Sequence, residues 1–193
     1  MAAANTFTAV SVNAYLHDEA TGRAKHEYVG GFVYAMAGGT KRHNLVATNI
    51  LVSLGAQLKG KPCRPYNSDT KIRLRQAAQV RFYYPDVSVI CRPNAQTDPF
   101  QDEPAVIVEV LSDSTRRTDE GEKRDAYLGI PSVTSYLLVD PDRPHVLHYR
   151  RTDHGFVPES FGTLDAIVDL PEIEAQLSLQ GIYDAVVFDE GCP

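Results

Sequence analysis

The chain has 193 residues, of which 43% are hydrophobic and 23% charged, a mix that excludes disorder as the main state and allows one domain with a sizeable core. A net charge of -6 excludes a protein that coats nucleic acid through overall positive charge, yet leaves room for a local basic patch beside an acidic metal site. No apolar run approaches the roughly 20 residues of a membrane span.

The opening MAAANTFTAV lacks the basic and apolar regions of a signal peptide. Ser11 to Glu19 then predicts a short helix closed by Thr21-Gly22. His26, Tyr28 and Phe32 to Met36 flank Gly30-Gly31, which predicts a hairpin with a tight turn at positive φ. Thr40 is a candidate N-cap for the longest helix, carried to about Leu58 by Val46, Ala47, Ile50, Leu51, Leu54 and Leu58 and ended by Gly60 and Pro62. Strands are expected at Lys71 to Leu74, Tyr84 to Ile90 and Ala105 to Leu111, with a polar loop from Arg92 to Pro104. A helix over Thr118 to Leu128 follows, then a strand at Ser135 to Asp140. A hairpin over His145 to Arg151 and Phe156 to Phe161 and a final helix at Leu179 to Val186 complete the pattern. The continuous apolar run Ala105 to Val108 suits a strand covered on both faces, hence an α/β layering. Residues 1–193 read as one domain, with an ordered core over about 11–188. The three cysteines, Cys63, Cys91 and Cys192, are scattered and odd in number, so neither a disulfide framework nor a zinc site is expected, and a reducing cytoplasm is the natural compartment.

Asp86 opens the run Val87-Ser88-Val89-Ile90, and Glu109 lies inside Ala105 to Leu111 on the face of Ile107 and Leu111. A carboxylate in such a strand is costly to bury unless it is paired or binds a metal. Two such acids can converge on one hard cation of the magnesium or manganese type. Either acid alone can equally sit at an edge or pair with an arginine. Lys123 and Tyr127 share a helix face, from which Lys123 can reach the two acids or simply pair with Asp119, also four residues away. Lys71, Arg73 and Arg75 alternate along one strand and are candidate phosphate contacts, as are Arg116, Arg117, Arg124, Arg143, Arg150 and Arg151; scattered charges also make an ordinary solvated surface. Ser68-Asp69 either adds an acid or shapes a turn.

Pro85-Asp86 followed by Glu109-Val110-Leu111 resembles the PD-(D/E)XK nuclease superfamily. The longer string is similar to the Uma-two restriction-endonuclease family: Tyr84 to Ile90, Val108 to Ser112, Glu122-Lys123, Tyr127, Ile130 to Val133 and Tyr136 to Val139. Glu27 with Gly31, and His43 in the first long helix, sit at matching places, and the resemblance runs from about Ser11 to the final helix. It implies a restriction-endonuclease-like α/β core with a central mixed β-sheet flanked by helices. It further implies Asp86, Glu109 and the backbone carbonyl of Val110 as ligands of Mg2+ or Mn2+, with Glu27 completing the acidic cluster. The superfamily's lysine stands two residues after the second acid, where this chain has Leu111, so the resemblance moves that role to Lys123. The implied activity is metal-dependent hydrolysis of DNA phosphodiester bonds by a homodimer. The acidic pI and Leu111 favour an alternative, a nuclease-fold module that binds nucleic acid or a protein partner without cutting. A structural protein whose acids are ordinary ion pairs is a third reading.

Overall fold

The computed structural model describes residues 9–36, 38–76 and 79–188; Met1–Thr8, which hold most of the segment tested for a signal peptide, and Cys192 lie outside the described residues. Helix α1 (Val12–Thr21) starts where the Ser11 hydroxyl accepts from the Ala14 N–H at 3.2 Å. Strands β1 (His26–Val29) and β2 (Phe32–Ala35) form the expected hairpin, with Gly30 and Gly31 at φ 55 and 104. Helix α2 (Lys41–Gln57) is capped by Thr40, whose hydroxyl accepts from the His43 N–H at 3.2 Å. Four strands precede the polar loop: β3 (Arg64–Asn67), β4 (Ile72–Gln76), β5 (Gln79–Tyr83) and β6 (Val87–Ile90). After it come β7 (Pro104–Val110), a helical turn α3 (Arg116–Thr118), a π-helical turn Asp119–Lys123, and α4 (Arg124–Leu128). The chain closes with β8 (Ser135–Asp140), β9 (His145–Thr152), β10 (Gly155–Phe161), β11 (Ile167–Leu170), β12 (Ala175–Ser178) and α5 (Leu179–Ile182).

A mixed six-stranded sheet runs β10-β9-β8-β7-β6-β3, with β7 and β8 parallel and the other neighbours antiparallel. Beside it stands an antiparallel four-stranded sheet, β2-β1-β5-β4. One face of the large sheet buries Val87, Val89, Val106, Val108 and Val110 against α2, α5 and the β11–β12 ribbon. The other face buries Ile90, Ile107, Tyr136 and Leu138 with Ile72, Leu74 and Tyr83 of the small sheet and Ala126 and Tyr127 of α4. The central mixed sheet is thus flanked by helices as expected, with the small sheet sharing the cover of its second face. Tyr15 of α1 packs with Tyr28 and Phe82 on the outer side of the small sheet.

Two expectations are corrected. The helix expected over Thr118 to Leu128 starts earlier and is interrupted by the π turn. Cys63 and Cys91 are not separate thiols but form a disulfide. The cause is β3, a short edge strand containing Pro65: its register with β6 pairs Arg64 with Ile90, which places Cys63 opposite Cys91 one step further on. The bridge closes a sequence separation of 28 residues, which on the chain-entropy account stabilises the fold by about 3 kcal/mol. Cys63→Ser is therefore expected to lower the unfolding free energy by roughly that amount. Urea melts check this: a reductant should destabilise the parent protein and leave the variant unmoved.

His148, on β9, is fully buried, and its Nε2 lies 2.8 Å from the Ser135 hydroxyl. Burial, and then the charge of Arg150, push its pKa down to about 4. The unfolded chain therefore binds this proton more tightly. The contribution of His148 to stability should be full above pH 6.5 and fall by about 3 kcal/mol as pH drops through 4. His148→Gln should flatten this limb in urea titrations run at several pH values.

Candidate metal and nuclease site

The two sheets meet where the chain leaves β5 and enters β6, and the link is Tyr84-Pro85-Asp86. Pro85 has no N–H to offer a ladder, which suits a residue that steps between sheets. The β6–β7 register pairs Val87 with Val108, so Asp86 stands opposite Glu109. Opposed residues of an antiparallel pair share a face. Asp86 Oδ2 accepts from the Val110 N–H at 2.8 Å, while the Asp86 N–H makes a longer contact of 3.4 Å to Glu109 Oε2. Both acids thus lie at the end of β7, locked to its backbone.

Lys123 arrives from the opposite side. The π turn directs both Asp119 and Lys123 inward, and both are buried; such turns recur at functional positions in helices. Lys123 Nζ lies 2.8 Å from Glu27 Oε1, 3.4 Å from Asp119 Oδ1 and 3.5 Å from Glu109 Oε1. Pairing with Asp119 and reaching the strand acids are therefore both true. Glu27 gets there because β1 alternates: Tyr28 faces α1, and Glu27 faces the large sheet. Tyr83 hydrogen-bonds Glu122 at 3.1 Å, and its ring lies 5.5 Å from the Lys123 ammonium.

His43, in the first turn of α2, places Nε2 3.3 Å from Asp86 Oδ2, while its buried Nδ1 has no hydrogen-bond partner. Its ring lies back over the N-terminal loop, where a Cβ on Gly39 would come within 2.6 Å of Nδ1. Glycine at position 39 makes this placement possible.

The cluster holds more negative than positive charge. Four carboxylates, Glu27, Asp86, Glu109 and Asp119, surround Lys123 and His43. Complete burial pushes the Glu109 carboxyl well above the usual range; Lys123 pulls it down, and the charges of Asp119, Asp86 and Glu27 push it up again. Asp119 is raised for the same first reason, burial. The three carboxylates around Lys123 outweigh its burial and hold the ammonium firmly protonated. For His43, burial alone would lower the pKa, but hydrogen bonding and charge from Asp86 raise it. Glu109 Oε1 and Asp119 Oδ1 are buried without a hydrogen bond. Among the described residues, no group of three or more His, Cys, Asp or Glu side chains is gathered as a metal cage.

The structure therefore brings together Asp86, Glu109, Val110, Lys123, Glu27 and His43. It adds Asp119, whose signal was its spacing of four from Lys123, and Tyr83, which no local pattern marked, bonded to Glu122 of the family-like string. Of the alternating cations, Arg75 is exposed, but Lys71 and Arg73 are turned to partners within the fold. Lys71 is buried, with its ammonium 5.3 Å from the Tyr84 ring and 5.8 Å from the Tyr15 ring. Arg73 makes a two-pronged pair with Asp102 at 2.8 and 2.6 Å and lies over Phe100. These side chains support the polar loop and α1, since strand alternation turned them toward aromatic neighbours rather than solvent. Arg151 is likewise spent on the carbonyls of Val133 and Ile130. Arg116 and Arg143 pair with Asp140, and Arg150 pairs with Glu159.

Comparison with known proteins bears on the fold and the family. A crystal structure from Anabaena variabilis, described as a putative nuclease belonging to DUF820, superposes with a TM-score of 0.71 at 19% identity. The match covers 89% of this chain and 98% of that one, and at such identity it bears on the fold alone. "Uncharacterized protein slr1290" of Synechocystis sp. is 36% identical over 184 residues, covering 94% of this chain and 95% of its own length. "Uncharacterized protein sll1609" of the same organism is 32% identical over 140 residues, 71% of this chain and 78% of its own. The family profile described as "Putative restriction endonuclease" matches residues 13–180. With that match spanning most of its length, the chain belongs to the Uma2 family.

Proposed function

We propose that this protein is a metal-dependent nuclease that hydrolyses phosphodiester bonds of DNA, with its chemistry at Asp86 and Glu109. The observation that carries this reading is the opposed pair of strand-borne carboxylates in a cluster with surplus negative charge. The donors fit a magnesium or manganese ion. Asp86, Glu109 and the Val110 carbonyl are hard oxygen donors, and magnesium commonly uses one or two carboxylates while keeping several waters. Glu109 Oε1, buried with no hydrogen bond and only a 3.5 Å ion pair to Lys123, supports the same fit. When bound, such an ion supplies polarisation of the scissile phosphate and a water of lowered pKa.

The chain's own residues do the rest. His43 and the Val110 N–H both reach Asp86 Oδ2 and so fix this carboxylate against the end of β7. Glu27 and Asp119 hold Lys123 charged, and its ammonium is placed to offset negative charge developing on phosphate. A second reading, a module that binds without cutting, is favoured by the absence of a three-residue cage among the described residues.

Asp86→Ala and Glu109→Ala are each expected to lower magnesium-dependent cleavage of DNA at least about 100-fold. Initial rates on plasmid and oligonucleotide substrates, with circular dichroism to confirm folding, provide the check. Undiminished cleavage by both variants would falsify the hydrolytic reading, and a parent protein that neither cuts nor binds magnesium would favour the second one.

Glu109, Asp119 and His43 all hold protons more tightly in the folded chain than in the unfolded one. Their stabilising contribution is present below the unfolded pKa and is lost as pH rises through the folded value. In the metal-free protein the contributions of Asp119 and Glu109 should therefore begin to fall above the ordinary carboxylate values of 3.8 and 4.5, and that of His43 above 6.5. Magnesium should restore the lost stability, with release of protons. Thermal melts on either side of pH 6.5 test this. An equal rise in Tm from magnesium at both values would contradict it.

A further inference from the structure

The strand at the outer edge of the small sheet has no described neighbour beyond it, and every residue of β2 is exposed. The β1–β2 register places Tyr28 opposite Val33 and Glu27 opposite Tyr34. Tyr28 points outward to Tyr15 and Phe82, so Val33 lies on that side and Tyr34 on the side of Glu27. The same row continues inward, because the β1–β5 register of Tyr28 with Phe82 sets Glu27 opposite Tyr83. One row across three strands thus reads Tyr34, Glu27, Tyr83. Its inner end is buried under α4, and its outer end is 54% exposed at Tyr34. Among the described residues, Tyr34 makes no side-chain hydrogen bond and no ring contact. An aromatic ring held by a sheet next to a site acid, yet not used for packing, is placed to meet a ligand.

The charge distribution points to what that ligand offers. The chain carries a net charge of -6, and several cations that would track a phosphate backbone are turned inward or paired. Base stacking on an aromatic ring adds affinity beyond that of phosphate contacts and works for every base. A stacked base must first be out of a duplex, since bases inside one present their faces only to each other. We infer that Tyr34 is a substrate-positioning residue that stacks an unpaired base next to the scissile phosphate. The preferred substrate is accordingly single-stranded DNA or a single-stranded overhang rather than intact duplex. This inference rests on the nuclease reading of the Asp86 and Glu109 site, but its test does not require cleavage.

The test uses the full chain and a single-stranded oligonucleotide carrying 2-aminopurine, titrated without divalent ions. The parent protein and Tyr34→Phe should quench the probe and bind with similar affinity. Tyr34→Ala and Tyr34→Leu should bind roughly tenfold more weakly and lose the quenching. Affinity for a duplex of the same sequence, read by anisotropy, should be lower throughout and insensitive to position 34. Full quenching by Tyr34→Ala, equal losses on duplex and single strand, or no binding of the single strand by the parent protein would each overturn the inference. Quenching without any cleavage would remove the hydrolytic reading and keep the stacking role. Cleavage that needs Asp86 but is indifferent to Tyr34 would do the reverse.

Discussion

An ammonium group buried among carboxylates organises this molecule. Taking a charged lysine out of water costs several kcal/mol unless partners surround it, and Lys123 is accommodated because Glu27, Glu109 and Asp119 close around it. The dependence is mutual, since those acids would be still more costly to bury without the lysine. Three distant parts of the chain are therefore tied at one point: the first hairpin, the end of β7 and the π turn. The tie leaves negative charge over, and that remainder adds to burial in raising Glu109, so this carboxyl holds its proton tightly.

The scaffold around this point is aromatic. Tyr83 packs against Tyr127, Tyr127 against Tyr136, and Tyr136 against Tyr149, with ring centroids 5.6 to 6.2 Å apart. The Tyr136 hydroxyl donates to the Asp119 carbonyl at 2.9 Å and holds the wide turn in place. Tyrosine suits this role because its ring fills the space between the two sheets while its hydroxyl satisfies a nearby polar group. The Tyr127 hydroxyl is buried without a hydrogen bond, and it lies close enough to Glu109 and Glu27 for their charges to raise its pKa. The same layer that packs the core thus sets the polarity of the site.

Much of this was visible in the sequence, for identifiable reasons. Thr40 and the Leu54 and Leu58 spacing marked α2, and Gly30-Gly31 marked the hairpin, because caps and turns are local features. The alternation around Glu109 gave its face, and the register of β6 on β7 brought Asp86 to it. Strands β3, β11 and β12, four residues each with mixed exposure, were not recognised, nor was β5; the strand expected from Tyr84 begins only at Val87, and the disulfide went with β3. The cations at 71 and 73 were misjudged because alternation tells which residues share a face but not what covers it. Burial under Tyr15, Tyr84 and Phe100 is a tertiary fact. The π turn was equally invisible, since Asp119 and Lys123 keep the same spacing in an ordinary helix.

The parallel pairing of β7 with β8 has a consequence for how the protein is made. Parallel neighbours need a crossover, and here the crossover carries Asp119 and Lys123, while Glu27 waits near the start of the chain. During synthesis the acids of β1, β6 and β7 emerge from the ribosome before the lysine that binds them together. They can settle only after β8 has followed and docked beside β7. A nascent or truncated chain ending before Ser135 holds Glu27, Asp86, Glu109 and Lys123 but lacks the strand that pairs with β7, so the charged cluster is assembled only when folding is nearly complete.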